Sequence, residues 1–208
     1  MPTSPYVHIQ TFVNYLIETR PSSILDIGLG NGKLGFIARD LLDVMLGERY
    51  RREQWQVRID GIEVFEDYIQ HHQRDIYDHI YIGDAFELIT QVESYEMIFV
   101  GDVLEHFEKA KAWQFLDRCI SCCTGHLIVN IPLGPEWRQP EIYGNPYERH
   151  RSVWNWPDFE PFTYKYKFFD IYPGTYSTLL IRKDDYIAYK VGRFHSDVQS
   201  THQRHCKI

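Results

Sequence analysis

Short apolar runs alternate with stretches of helical periodicity along most of the chain. Ile24–Ile27, Val57–Ile62, Ile80–Ile82, Met97–Val100 and Leu127–Ile131 are short, mostly apolar runs of strand length. Between them lie helical patterns: residues 7–19, with Val7, Phe12, Leu16 and Ile17 on one side; Lys33–Leu46; a segment after Ile62 to about Arg74; and roughly 105–121. Pro132 marks the expected stop of the fifth strand. Later strands are expected at Phe168–Ile171 and Thr178–Ile181, with a further candidate at Tyr186–Val191. Strand and helix taking turns in this way predicts a parallel sheet with crossover helices.

The first strand runs into a glycine turn that opens a helix, Ile24-Leu25-Asp26-Ile27-Gly28-Leu29-Gly30-Asn31-Gly32-Lys33. Glycines let the backbone turn sharply and let a ligand approach the main chain. A helix start offers unpaired N–H groups, and such loops take nucleotide-like ligands at the carboxyl ends of the strands. Gly30-Asn31-Gly32-Lys33-Leu34-Gly35 also fits the dinucleotide fingerprint G-x-G-x-x-G, a weak signal alone. There the helix start must meet a pyrophosphate. Asp26 just before the turn would repel phosphates and suits a ligand carrying an ammonium or sulfonium group.

Asp-x-Gly-x-Gly-x-Gly, spanning Asp26, Gly28, Gly30 and Gly32, resembles the first motif of class I S-adenosylmethionine-dependent methyltransferases. Four further positions follow in the family's order. Glu63 ends the second strand, where the resemblance implies an acid on the ribose hydroxyls. Asp84 and Ala85, in Tyr81-Ile82-Gly83-Asp84-Ala85, imply contacts to the adenine amino group and ring. Asp102-Val103-Leu104-Glu105-His106-Phe107 is similar to the acid-and-histidine segment beside the methyl group, and Val129-Asn130-Ile131-Pro132 to the fifth-strand end. Clear motifs cover residues 22–135, and the likeness continues in outline to about 182. It implies a Rossmann-like α/β fold: a doubly wound, mostly parallel sheet of seven strands in the order 3-2-1-4-5-7-6, the last antiparallel, with helices on both faces. The implied cofactor is S-adenosylmethionine, leaving as S-adenosylhomocysteine.

Each of these residues has a plainer reading. Glu63 and Asp84 also read as solvated loop acids. Asp102 reads equally as a helix N-cap with Glu105 as its capping-box partner. His106 reads as a packed helix histidine or as an active-site group. His150, in Tyr147-Glu148-Arg149-His150-Arg151, reads as part of a charged surface loop or, by likeness to the segment after the fifth strand, as an active-site histidine. His106 and His150 are the two candidate bases, since histidine titrates near neutral pH. No metal-ligand set stands out.

Residues 137–176 hold 13 aromatics in 40 positions, about twice the density of the whole chain at 15 %. Such a stretch is either packing or the wall of a pocket. We expect one domain over residues 1–192, with 132–162 as a substrate-side insert or lid and 193–208 as a flexible basic tail containing Arg193, His195, His202, Arg204, His205 and Lys207. With 208 residues there is room for one full domain.

The net charge of −7 argues against a nucleic-acid partner, since phosphate binding needs clustered Lys and Arg. No apolar run reaches the length of a membrane span and no secretory signal opens the chain, so the cytoplasm is expected. Cys119, Cys122 and Cys123 fall in an apolar helical stretch and read as buried, reduced thiols. The expected acceptor is a small molecule or glycan. A nicotinamide-dependent oxidoreductase and a non-catalytic S-adenosylmethionine-binding module remain the alternatives. Monomer and homodimer are both open.

Overall fold

The computed structural model describes residues 3–193. Its elements, in chain order, are α1 (Ile9–Thr19), β1 (Ser23–Ile27), α2 (Lys33–Arg39), β2 (Arg58–Glu63), α3 (His71–Ile76), β3 (His79–Ile82), α4 (Ala85–Leu88), β4 (Tyr95–Gly101), α5 (Lys109–Cys122), β5 (Cys123–Leu133), α6 (Trp156–Phe159), β6 (Lys165–Ile171), β7 (Gly174–Arg182) and α7 (residues 183–193). The seven strands form one sheet in the order β3-β2-β1-β4-β5-β7-β6, as the family resemblance implies. The first five run parallel, and β7 is antiparallel to both β5 and β6. This is a Rossmann-like, doubly wound α/β fold.

Two apolar clusters cover the two faces. Ile24, Ile59, Met97, Phe99, Ile128 and Leu180 pack on one side against Phe12 and Leu16 of α1 and Leu34 and Ala38 of α2. Their neighbours Leu25, Ile62, Ile98, Val100, Leu127 and Ile181 point the other way, against Phe86 of α4 and Phe115 and Leu116 of α5. Successive strand residues thus feed opposite layers, so the central parallel strands read as mostly apolar runs, interrupted by the buried Asp26, Asp60 and Asn130.

Several expectations are corrected. Val7 and Ile17 are exposed, and the buried face of α1 is Phe12, Tyr15 and Leu16. The helix at Lys33 widens into π-helical turns over Asp40–Met45. After β2 a single 3-10 turn, Glu66–Tyr68, precedes α3, which starts only at His71. Pro132 does not end β5, which runs on through it to Leu133 paired with β7. Pro132 lies two residues beyond Asn130, whose carbonyl takes the last bond from the β4 side, the N–H of Asp102. By strand alternation the N–H that proline lacks faces the side where β4 has ended. Residues 186–191 are helical, not a strand: Tyr186 is buried against Phe162 while Ile187 and Val191 are exposed. Cys119, Cys122 and Cys123 are buried free thiols. The basic tail beyond Arg193, with Cys206, lies outside the described residues.

Candidate active site

The sheet order reverses between β1 and β4, and the carboxyl ends of β1, β2, β3 and β4 open on the same edge. That crevice is where ligands bind in such sheets. The turn after β1 is held by the N–H groups of Gly28 and Leu29, both donating to the Ile62 carbonyl at 2.9 and 3.3 Å. Gly28 has φ +71°, and a Cβ there would stand 2.6 Å from Val103 Cγ2, so a side chain is excluded where the turns after β1 and β4 meet. Gly32 caps α2 with φ +73°.

The candidate acids gather around this turn. Glu63, 5 % exposed, takes the Gly30 N–H on Oε2 at 3.0 Å and the Phe65 N–H on Oε1 at 2.9 Å. Burial raises its carboxyl above the usual range against those two bonds. Asp26, 3 % exposed inside β1, accepts from the Tyr77 hydroxyl on Oδ2 at 2.5 Å, while Oδ1 is buried without a hydrogen-bond partner. Burial pushes Asp26 up to about 7; the Tyr77 bond opposes this and the Glu63 charge adds to it.

Asp84 caps α4 through Oδ1 to the Phe86 N–H at 2.9 Å, with Lys111 Nζ 3.2 Å from Oδ2. It is therefore an engaged cap, not a free loop acid, and Ala85 is buried beside it.

Asp102 caps no helix, contrary to one of its two sequence readings. The chain makes a 3-10 turn at Leu104–His106, and α5 begins only at Lys109 with Glu108 at its N-cap. Asp102 instead adopts φ +52°, and its Oδ2 accepts from the Tyr176 hydroxyl at 2.9 Å. Burial raises it to about 6. Glu105 is not a capping-box partner either. It is 2 % exposed, and burial, with the Asp102 charge adding, holds its carboxyl well above the ordinary range.

His106 is in that turn, not in a helix, and His150 comes to it from the segment after β5, ring centroids 5.0 Å apart. Two backbone bonds clamp the segments together: the Arg151 and Ser152 N–H groups both donate to the Glu105 carbonyl, at 2.7 and 3.1 Å. The Nδ1 atoms donate to backbone carbonyls, His106 to Arg149 at 3.2 Å and His150 to Trp137 at 3.0 Å. Burial, then the neighbouring His150, lowers His106 to about 4, and burial lowers His150.

Asp26, Gly28, Gly30, Glu63, Asp84, Ala85, Asp102, His106 and His150, but not Gly32, line one cavity of about 590 Å³. The segment after β5 divides. Residues 137–151 contribute Trp137, Tyr143, Tyr147 and His150 to the cavity wall, whereas Trp154 and Phe159 are fully buried in the core and Trp156 packs against Tyr166 and, edge to face, Phe168 of β6.

Other residues of this site escape sequence reasoning. Tyr77 fills the space that Gly35 leaves: a Cβ there would meet its ring at 2.2 Å, while at Gly61 and Gly32 the ring lies second to Leu29 Cδ2 at 2.3 Å and Gln73 Cγ at 2.9 Å. Gly35, the last glycine of the formal dinucleotide fingerprint, is thus explained by tyrosine packing. Glu148, 8 % exposed, takes the Tyr68 hydroxyl at 3.0 Å across the cavity. Ser4 lies on the wall, with Lys33 Nζ donating to its carbonyl at 2.5 Å.

No protein-family model matches the sequence, and no curated protein matches it. Solved structures do. Magnesium protoporphyrin IX methyltransferase from Synechocystis PCC 6803, with S-adenosylhomocysteine bound, is 14 % identical with a TM-score of 0.57, over 88 % of this chain and 90 % of that one. A SAM-dependent methyltransferase from Archaeoglobus fulgidus is 14 % identical with a TM-score of 0.55, over 83 % and 93 %. The N-methyltransferase NodS from Bradyrhizobium japonicum WM9 is 15 % identical with a TM-score of 0.55, over 84 % and 93 %. With its sheet order and glycine turn, this chain has the class I S-adenosylmethionine-dependent methyltransferase fold.

Proposed function

We propose that the protein is an S-adenosylmethionine-dependent methyltransferase acting on an oxygen or nitrogen of a small-molecule or glycan-type acceptor. One observation carries this reading: Asp26, Glu63, Asp84 and Asp102 all line a single cavity around the glycine turn at the point where the sheet order reverses. The residues suit the cofactor. The partnerless Asp26 Oδ1 is a buried acceptor awaiting a cationic or donor group, as an ammonium would supply. Glu63 has lone pairs left after its two backbone bonds, enough for a pair of ribose hydroxyls. Asp84 and Ala85 form the adenine end. The Gly28–Gly32 turn leaves room for close approach of the ligand to the backbone.

The cofactor brings a methyl group already attached to a good leaving group, a sulfonium, so the protein needs no covalent intermediate of its own. The chain's task is to hold the acceptor in line and keep water out, which removes much of the entropic barrier. Trp137, Tyr143 and Tyr147 supply rigid apolar walls on the acceptor side. His106 and His150, held neutral by burial, have lone pairs with which to take up or direct the acceptor's proton. The neighbours named above include an N-methyltransferase and a tetrapyrrole methyltransferase, which supports a small-molecule acceptor. Among the described residues no helix is long and apolar enough to cross a membrane, and the three free buried thiols fit a reducing compartment such as the cytoplasm.

Calorimetry tests the reading. S-adenosylmethionine and S-adenosylhomocysteine should bind in the micromolar range, about 8 kcal/mol, and raise the melting temperature at saturation. Absence of heat and of thermal shift with either, on folded protein, overturns it. Binding of a nicotinamide cofactor in their place supports an oxidoreductase, and binding without turnover across an acceptor panel leaves a non-catalytic module.

A further inference from the structure

We infer that Glu105, His106 and His150 form a binding site for one divalent transition-metal ion on the wall of the cavity. One carboxylate oxygen and one nitrogen from each imidazole lie within 4.8 Å of one another. Two ligands about 2.1 Å from a shared ion stand at most about 4.2 Å apart, so modest side-chain rotation closes the set.

Three independent features point to a cation there. Glu105 Oε2 is buried and has no hydrogen-bond partner, an expensive state for a carboxylate unless something positive meets it. Both histidines donate Nδ1–H to a backbone carbonyl, Arg149 and Trp137 respectively, which leaves the lone pair on Nε2. That is the supporting pattern of metal-bound histidine, where the outer hydrogen bond fixes the tautomer and the ring angle. The set is also pre-assembled, because the two bonds to the Glu105 carbonyl tie the loop bearing His150 to the turn bearing His106.

Two imidazoles and one carboxylate favour a first-row ion such as Mn²⁺ or Zn²⁺ over Mg²⁺ or Ca²⁺, which prefer all-oxygen shells. Three protein ligands leave coordination positions open, and all three residues line the cavity. The occupant of those positions rests on the methyltransferase reading: an acceptor oxygen, whose proton the ion would make easier to lose, in place of the histidine lone pairs, which the ion would occupy. The site itself does not depend on that reading.

The test uses full-length protein stripped with a chelator and titrated with Mn²⁺ alone, free ion being followed by electron paramagnetic resonance. One ion per chain with a dissociation constant in the micromolar range or below is expected, and pulsed spectra of the wild-type complex should show two imidazole nitrogens. Glu105→Gln and His150→Asn should each weaken binding at least tenfold. No binding below about 1 mM, or a bound ion without nitrogen coupling, overturns the site; the wild-type spectrum decides even if a variant misfolds. S-adenosylhomocysteine binding is measured on the same stripped sample. Its loss with the metal retained would sink the methyltransferase reading and leave the metal site standing, and the converse result would do the reverse.

Discussion

Tyr77 donates its hydroxyl to Asp26 Oδ2 at 2.5 Å, joining the loop after α3 to the middle of β1 under the glycine turn. Both residues are buried, and the phenol ring is what Gly35 makes room for. Tyr77→Phe keeps the ring and removes the donor, leaving a buried carboxyl with neither oxygen bonded. The expected cost is about 1–3 kcal/mol in a urea melt, the desolvation penalty of an orphaned acceptor. Gly35→Ala should cost a similar amount by overpacking against the same ring, and Gly35→Ala in a Tyr77→Phe background should not be additive, because the two share one contact. Additive costs would show that Gly35 and the tyrosine do not form one unit.

The same pair sets a pH dependence. Asp26 is raised from 3.8 to about 7 by burial, so the folded state holds its proton more tightly than the unfolded chain does. Its contribution is therefore fully present below about pH 4 and is lost as pH rises toward 7. His106 acts in the opposite sense: its folded value of about 4 lies below 6.5, so folding is disfavoured as pH falls through that window. The two partly cancel in the wild-type curve. Comparison with Asp26→Asn isolates the acid: the stability difference, wild type minus variant, should fall by one to a few kcal/mol between pH 4 and pH 7, with about 4 kcal/mol as the ceiling set by the shift. A difference that is flat or rises across this range would mean that Asp26 is ionised throughout.

The strands of the parallel half were legible because burial on both faces of the central ones leaves them mostly apolar, as Leu25 and Ile24 illustrate by feeding opposite layers, although Asp26, Asp60 and Asn130 interrupt the runs. Glu63 and Asp84 were legible for a related reason: an acid directly after such a run has to stand at the strand's carboxyl end. Tyr77 was not, since its partners Asp26 and Gly35 are its neighbours only in space. The pairing of Glu148 with Tyr68 was not legible either, because the two are 80 positions apart. Residues 186–191 misread as a strand because Tyr186, Ile187 and Val191 are all apolar, although only Tyr186 is buried. The capping reading of Asp102, one of the two it offered, failed because sequence does not show that the chain delays its helix until Lys109. That His150 and His106 come together was not legible either, because the two are 44 positions apart and are joined by a backbone clamp.

Glu63 holds two backbone N–H groups, so its substitution touches both the loop and the ligand. A simple change in affinity is then ambiguous, and the ligand has to be varied as well. Wild type should bind adenosine about ten- to a hundredfold more tightly than 2′-deoxyadenosine, the worth of one hydrogen bond to a charged group at about 1.5–3 kcal/mol. Glu63→Gln should weaken adenosine strongly and erase most of that preference. Equal binding of the two nucleosides by wild type would place the ribose elsewhere.

Trp154 and Tyr143 separate the two halves of the segment after β5. Trp154 is fully buried; it packs on Trp113 and Phe159, carries the Lys109 ammonium 3.6 Å above its ring and donates Nε1–H to Ser152 Oγ at 2.9 Å. Tyr143 is 65 % exposed on the cavity rim. Trp154→Ala removes a large core side chain and should cost about 3–5 kcal/mol. Its effect on catalysis should be indirect, through Ser152 and the clamp that positions His150. Tyr143→Ala should leave stability within about 0.5 kcal/mol, the range for exposed sites. Affinity for S-adenosylhomocysteine should also hold, while KM for the acceptor rises several-fold. Thermal melts and acceptor kinetics on the two variants decide the matter. If Tyr143→Ala destabilises the protein as Trp154→Ala does and leaves KM unchanged, residues 137–151 are packing, and the acceptor is bound by another part of the cavity wall.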